Sequence, residues 1–112
     1  MTDPGFTDLP TVARYAASLD DDLTATEREL RLHTLRAFAD FVGRTPDQMV
    51  GEIFDTETRK YRKRGFYATK IKEFTEQLDL PPSQRVARGN IVRAFFIANG
   101  RRVPPETPAW LS

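Results

Sequence analysis

The chain has 112 residues, 39% of them hydrophobic and 8 of them Phe, which is enough apolar material for one core and one domain. With no Cys and one His it excludes a disulfide framework and a thiolate zinc site, and His33 has no partner set for a metal. The formal net charge is +1, yet residues 1–58 carry 5 basic and 12 acidic side chains and residues 59–112 carry 12 and 4, a division that favours a polyanion as partner.

The opening "MTDPGFTDLP" has neither the basic flank nor the apolar stretch of a signal peptide, so a cytoplasmic protein is expected. No apolar run reaches the roughly 18 residues of a membrane span. Residues 9–19, "LPTVARYAASL", place Leu9, Val12, Tyr15, Ala16 and Leu19 on one helical face. Asp20, Asp21 and Asp22 then read as a solvated connection, so residues 1–22 form an N-terminal helix and an acidic joint. "TATE" offers two capping boxes, Thr24 with Glu27 and Thr26 with Glu29. The helix that starts there runs to Val42, with Gly43 as its C-cap. Leu30, Leu32, Leu35, Phe38, Phe41 and Val42 form its apolar arc, and Glu29, His33, Arg36 and Asp40 its polar face.

In "RTPDQMVGEIF" Thr45 is the N-cap, Pro46 the first helical residue and Gln48 the other half of a capping box. Met49, Val50, Ile53 and Phe54 supply the buried side of this short helix. The next stretch, "RKYRKRGFYATKIKEF", holds seven Lys or Arg residues and no acid before Glu73. Within it Tyr67, Ile71, Phe74 and Leu78 fall within about 60° of one another, a core stripe. Gly65 weakens the helix by about 1 kcal/mol relative to Ala, so residues 59–64 read as a looser lead-in. In "LPPSQRVARGNIVRAFFIANG" Ser83 is the expected N-cap and Gly100 the stop. Val86, Ala87, Asn90, Ile91, Ala94 and Ile97 make one face, and Val92, Phe95 and Phe96 line another. A helix apolar on two sides is expected in the middle of the bundle, with Arg85 and Arg88 on the side the core does not need. Residues 101–112 contain three prolines and read as an extended linker.

The order of these signals resembles the N-terminal, SAM-like core-binding domain of tyrosine recombinases (phage integrases), in particular the archaeal-type integrases. A Thr-started helix ending "LRAFADFVG" is followed by "TPDQMVGEIF", a basic helix, and a Ser-started helix ending in Arg-x-Phe-Phe before a Pro-rich exit. The resemblance covers roughly residues 20–104; a departure is Arg31, where many relatives carry an aromatic residue. It implies an all-α bundle of four to five helices, with residues 23–100 as the DNA-binding domain and 101–112 leading to a catalytic domain. It also implies duplex DNA as partner, together with the C-terminal catalytic domain of the same full-length chain and sister protomers on DNA. No cofactor is implied, and the place of work would be the nucleoid. Carried over by position, Ser83, Gln84, Arg85, Arg88 and Arg93 fall on the family's DNA-facing helix.

Ser83, at a helix N-terminus, suits a phosphate. Thr26, Arg28 and Arg31 begin the second helix, where long arginine stems can cover core while their heads reach out. Arg59, Lys60, Arg62, Lys63, Arg64, Lys70 and Lys72 suit a sequence-independent phosphate grip. "HTLR" at 33–36 matches the family's catalytic His-x-x-Arg, with Tyr67 downstream. Only 32 residues precede His33, too few for the upstream catalytic segments, and i, i+3 and i, i+4 pairing with Glu29 and Asp40 accounts for the stripe. The expectation is a DNA-binding domain without catalysis of its own, as part of a site-specific recombinase. Two alternatives stand beside it: a free-standing helical DNA-binding regulator, and a SAM-like protein-interaction module.

Overall fold

Proline and threonine set most of the helix starts. The computed structural model describes residues 4–55 and 57–101, without the side chains of Pro4, Tyr61 and Arg64. Six helices and one small hairpin follow in order: α1 (Pro4–Asp8), α2 (Pro10–Ser18), α3 (Ala25–Val42), α4 (Pro46–Ile53), β1 (Phe54–Asp55), β2 (Lys60–Tyr61), α5 (Arg64–Glu76) and α6 (Pro82–Ala98). The fold is all-α, as expected. Residues 102–112, nearly all of the expected linker, lie outside the described residues.

Of the two capping sites offered by "TATE", Thr24 is the one used: its Oγ1 accepts from the Glu27 backbone N–H at 3.1 Å. Gly43 ends α3 with φ 80°, a left-handed conformation open to glycine without steric cost. The α4 capping box is complete, with Thr45 Oγ1 accepting from Gln48 N and Gln48 Oε1 accepting from Thr45 N. Pro46 stands at the first position, where its missing N–H leaves nothing unsatisfied.

The core joins Val12 and Tyr15 of α2, Leu35 and Phe38 of α3, Met49 and Ile53 of α4, Tyr67, Ile71 and Phe74 of α5, and Val92, Phe95 and Phe96 of α6. The stripe expected on α5 is therefore the buried one, with Leu78 packed partly buried against it. Aromatic edges organise this core: Phe38 meets Phe74 at 5.4 Å and Tyr15 meets Phe95 at 5.9 Å, both T-shaped. At Gly89 a Cβ would stand 3.3 Å from Thr75 Cγ2 and 3.5 Å from Ile71 Cγ2, so the bare backbone lets α6 lie close on α5. A buried polar bridge ties the ends together. Asn99 Nδ2 donates to Thr11 O at 3.1 Å and to Phe95 O at 3.0 Å, while its Oδ1 accepts from Arg14 at 2.7 Å. Thr11 in turn donates from its backbone N–H and its hydroxyl to Asp47 Oδ1, in the first turn of α4.

Three expectations change. The lead-in at 59–64 is an ordered hairpin, with Phe54 paired to Tyr61 and Asp55 to Lys60. Its turn is built by Asp55 Oδ1, which accepts from the backbone N–H of Glu57 at 2.9 Å and Thr58 at 3.5 Å. The N-cap of α6 is Pro81 rather than Ser83, and no side chain caps that end. Pro82, with φ preset for the first helical position, starts the helix two residues earlier and leaves Ser83 exposed inside the first turn.

The third change concerns the faces of α6. It packs against α2, α3 and α5, but on one side only. Val86 and Ile97 are 54% and 61% exposed, and Ala87, Asn90 and Ala94 between them are exposed too. Arg85 and Arg88, expected on the open side, are half-buried on the side that carries Val92, Phe95 and Phe96 further along. Which of its apolar sides is covered follows from where α2, α3 and α5 lie.

Candidate nucleic-acid interface

The basic stretch is presented by the hairpin and the first turns of α5. Arg59 takes a left-handed φ of 57° at the end of the hairpin loop, and both Arg59 and Lys60 are exposed. The backbone N–H of Arg62 donates to Ile53 O at 3.1 Å, which pins the return strand to the end of α4. Its guanidinium stays 69% exposed, 3.6 Å from Asp55 Oδ2. Lys63 is the N-cap of α5, and its ammonium lies 3.7 Å from Glu52 Oε1. Lys70 stands further along the same helix, 3.1 Å from Glu73. These are exposed ion pairs of modest strength; they hold the cations in place without removing them from water. The Arg64 side chain lies outside the described residues.

Glu52 is the hub beneath this surface. Its Oε1 accepts from the Tyr67 hydroxyl at 2.8 Å and its Oε2 from Arg44 Nε at 3.1 Å. Burial opposes ionisation of Glu52, but the Tyr67 and Arg44 hydrogen bonds and the charges of Lys63 and Arg44 outweigh it and hold its carboxyl below the usual range. The Tyr67 phenol is fully buried, and burial, the bond to Glu52 and the charge of Glu52 push it well above its ordinary value. A phenol held neutral in this way is a poor nucleophile. It anchors the start of α5.

The α6 candidates occupy a different setting. Arg88 reaches across to α3, its Nη1 standing 3.4 Å from Thr34 Oγ1, at the limit of a hydrogen bond. Arg85 lines a hollow of about 350 Å³ between α5 and α6 together with Lys72, Thr75 and Glu76. Arg93 donates to Asn90 Oδ1 at 3.3 Å. Ser83 and Gln84 are exposed.

At the start of α3, Arg28 donates to Asp20 O at 2.5 Å and lies 4.0 Å from Asp21, so it fastens the acidic joint to the helix. Arg31 donates to the Glu27 carbonyl at 3.0 Å, and its charge acts on Tyr15, whose phenol burial pushes up and Arg31 pulls down. Thr26 and Arg28 line a groove of about 920 Å³ along α3, whose floor also includes Leu30, His33 and Arg36. Arg36 stacks over the Phe6 ring at 5.5 Å. His33 and Asp40 stay exposed along this groove.

The fifteen candidate positions thus fall into three groups: the α3 start, the hairpin with α5, and the α6 start. The hairpin group is the most exposed; in the other two, Arg28, Arg31, Arg85, Arg88 and Arg93 are half-buried and pack against their own domain. Sequence reasoning passed over Phe66, an aromatic 45% exposed within the basic group. Its signal was available: Phe66 stands outside the core stripe, three residues after Lys63 and four before Lys70.

Among the described residues no group of three or more His, Asp or Glu side chains is placed to hold a metal ion, and no helix is long and apolar enough to cross a membrane. No protein-family model, curated protein or solved structure matches the chain.

Proposed function

We propose that this domain binds duplex DNA without catalysing a reaction itself, as the core-binding part of a site-specific tyrosine recombinase. The observation that carries the reading is the exposed ridge of Arg59, Lys60, Arg62 and Lys63 on a structured hairpin, opposite in charge to the acidic first half of the chain. A hairpin pinned to α4 and α5 presents these cations in fixed order, which suits the regular phosphates of a duplex. The buried, hydrogen-bonded Tyr67 supports the non-catalytic part of the reading. In a full-length protein the catalytic domain, sister protomers and the nucleoid would complete the setting.

The test is a titration with random-sequence duplex at several salt concentrations. Non-specific binding of this kind has a Kd of about 10⁻⁴–10⁻⁶ M at physiological salt and weakens steeply as salt rises. Lys63→Ala should weaken binding to all duplexes alike and lower the salt slope by about 1. Absence of binding at low salt would sink the proposal.

The uncharged open face of α6 favours a second reading, a helical protein-interaction module. That reading expects no DNA retardation, and a defined oligomer or partner that Ile97→Glu abolishes.

A further inference from the structure

Phe66 is held in an unusual position for a surface phenylalanine. The Lys63 ammonium lies 5.7 Å from its ring centroid and the Lys70 ammonium 5.5 Å, one from the preceding turn of α5 and one from the following turn. The ring also meets the Tyr67 ring edge-on, with centroids 5.2 Å apart and an interplanar angle of 88°. Tyr67 is itself immobilised by burial and by Glu52, so the Phe66 ring is backed by the core rather than swinging freely. The ring itself remains 45% exposed.

A half-exposed apolar ring between two ammoniums matches the chemistry of one nucleotide. A base that stacks on the ring displaces an ammonium from over it, and the adjoining phosphate gives that ammonium a new partner. A protein partner would want a wider apolar surround; among the residues whose side chains are described, the exposed ones within four positions of Phe66 are Arg62, Lys63, Gly65 and Thr69. We propose that Phe66, flanked by Lys63 and Lys70, is a stacking site for an unpaired nucleobase whose adjoining phosphates the two lysines hold. This rests on the DNA-binding reading and refines it. In intact duplex both faces of every base are occupied by neighbours, so the site is idle there and becomes engaged where a base is unstacked, as in a gap, a flap or a strand being exchanged.

The experiment compares the full chain with Phe66→Ala, Phe66→Leu and Phe66→Trp on two DNAs, an intact duplex and the same duplex with a short single-stranded gap containing 2-aminopurine. The wild type should bind the gapped DNA more tightly and quench the 2-aminopurine emission. Phe66→Ala and Phe66→Leu should lose about tenfold in affinity for the gapped DNA, together with the quenching. Their affinity for intact duplex should change by less than about twofold, and Phe66→Trp should restore both properties. Equal losses on the two DNAs, or quenching that survives Phe66→Ala, would overturn the stacking site while leaving duplex binding intact. Failure of the wild type to bind either DNA would overturn both. Because Leu keeps the apolar bulk, a loss shared by Leu and Ala and reversed by Trp separates stacking from simple packing.

Discussion

Replacing Tyr67 by Phe removes one oxygen and tests the polar knot that joins α4 to α5. The ring is fully buried, and its hydroxyl donates to Glu52 at 2.8 Å. A hydrogen bond to a charged acceptor contributes about 1.5–3 kcal/mol. The Glu52 side chain is 28% exposed and keeps its bond to Arg44, so water can take over part of the lost interaction. The expected loss is therefore at the lower bound, about 1.5 kcal/mol at neutral pH. With a urea m-value of about 1.5 kcal/mol/M, the unfolding midpoint should fall by about 1 M. The pH dependence supplies a second check. The Glu52 carboxyl is held below its usual range in the folded state, so its contribution is present above the unfolded pKa and disappears as pH falls through the folded one. The gap between wild type and variant should narrow on acidification from neutral pH. At the alkaline end the sign reverses, because the folded Tyr67 phenol is raised: the unfolded chain ionises first, and the wild type loses stability above about pH 10 more steeply than the variant, which keeps the raised Tyr15 phenol. Equal midpoints at neutral pH, or a gap of constant size in acid, would refute the reasoning.

Asn99→Ala should strand Thr11 O in a buried setting, while the exposed Arg14 turns to water, and lower stability by about 2 kcal/mol, read as a drop of about 8 °C in a calorimetric scan. Arg59→Gly should separate stability from binding, since glycine adopts the left-handed φ of 57° without steric penalty while the charge is lost. Urea unfolding should show a gain of about 0.5 kcal/mol, and the salt slope of duplex binding should fall by about 1.

The helices of this chain were legible from local chemistry. Thr45, Pro46 and Gln48 define a helix start among themselves, and Gly43 ends the helix before it by its backbone freedom alone. The α5 core stripe was equally legible, because Tyr67, Ile71 and Phe74 repeat at the period of the helix. The hairpin was not, because its turn depends on one aspartate bonding backbone two and three residues away, and strands of two residues carry no alternation to read. Periodicity also could not distinguish the two faces of α6. Val86 and Ile97 are as apolar as Val92 and Phe95, and only the positions of α2, α3 and α5 decide which set is covered. The same is true of charge. Composition placed the cations after residue 58, but it was tertiary packing that drew Arg88 into the α3–α6 seam and left Arg59, Lys60 and Arg62 in water. Distances along a helix are set by its pitch, and the sequence therefore determined which side chains stand one turn apart; which of them face solvent depends on elements far away in the chain, and only the fold decided that.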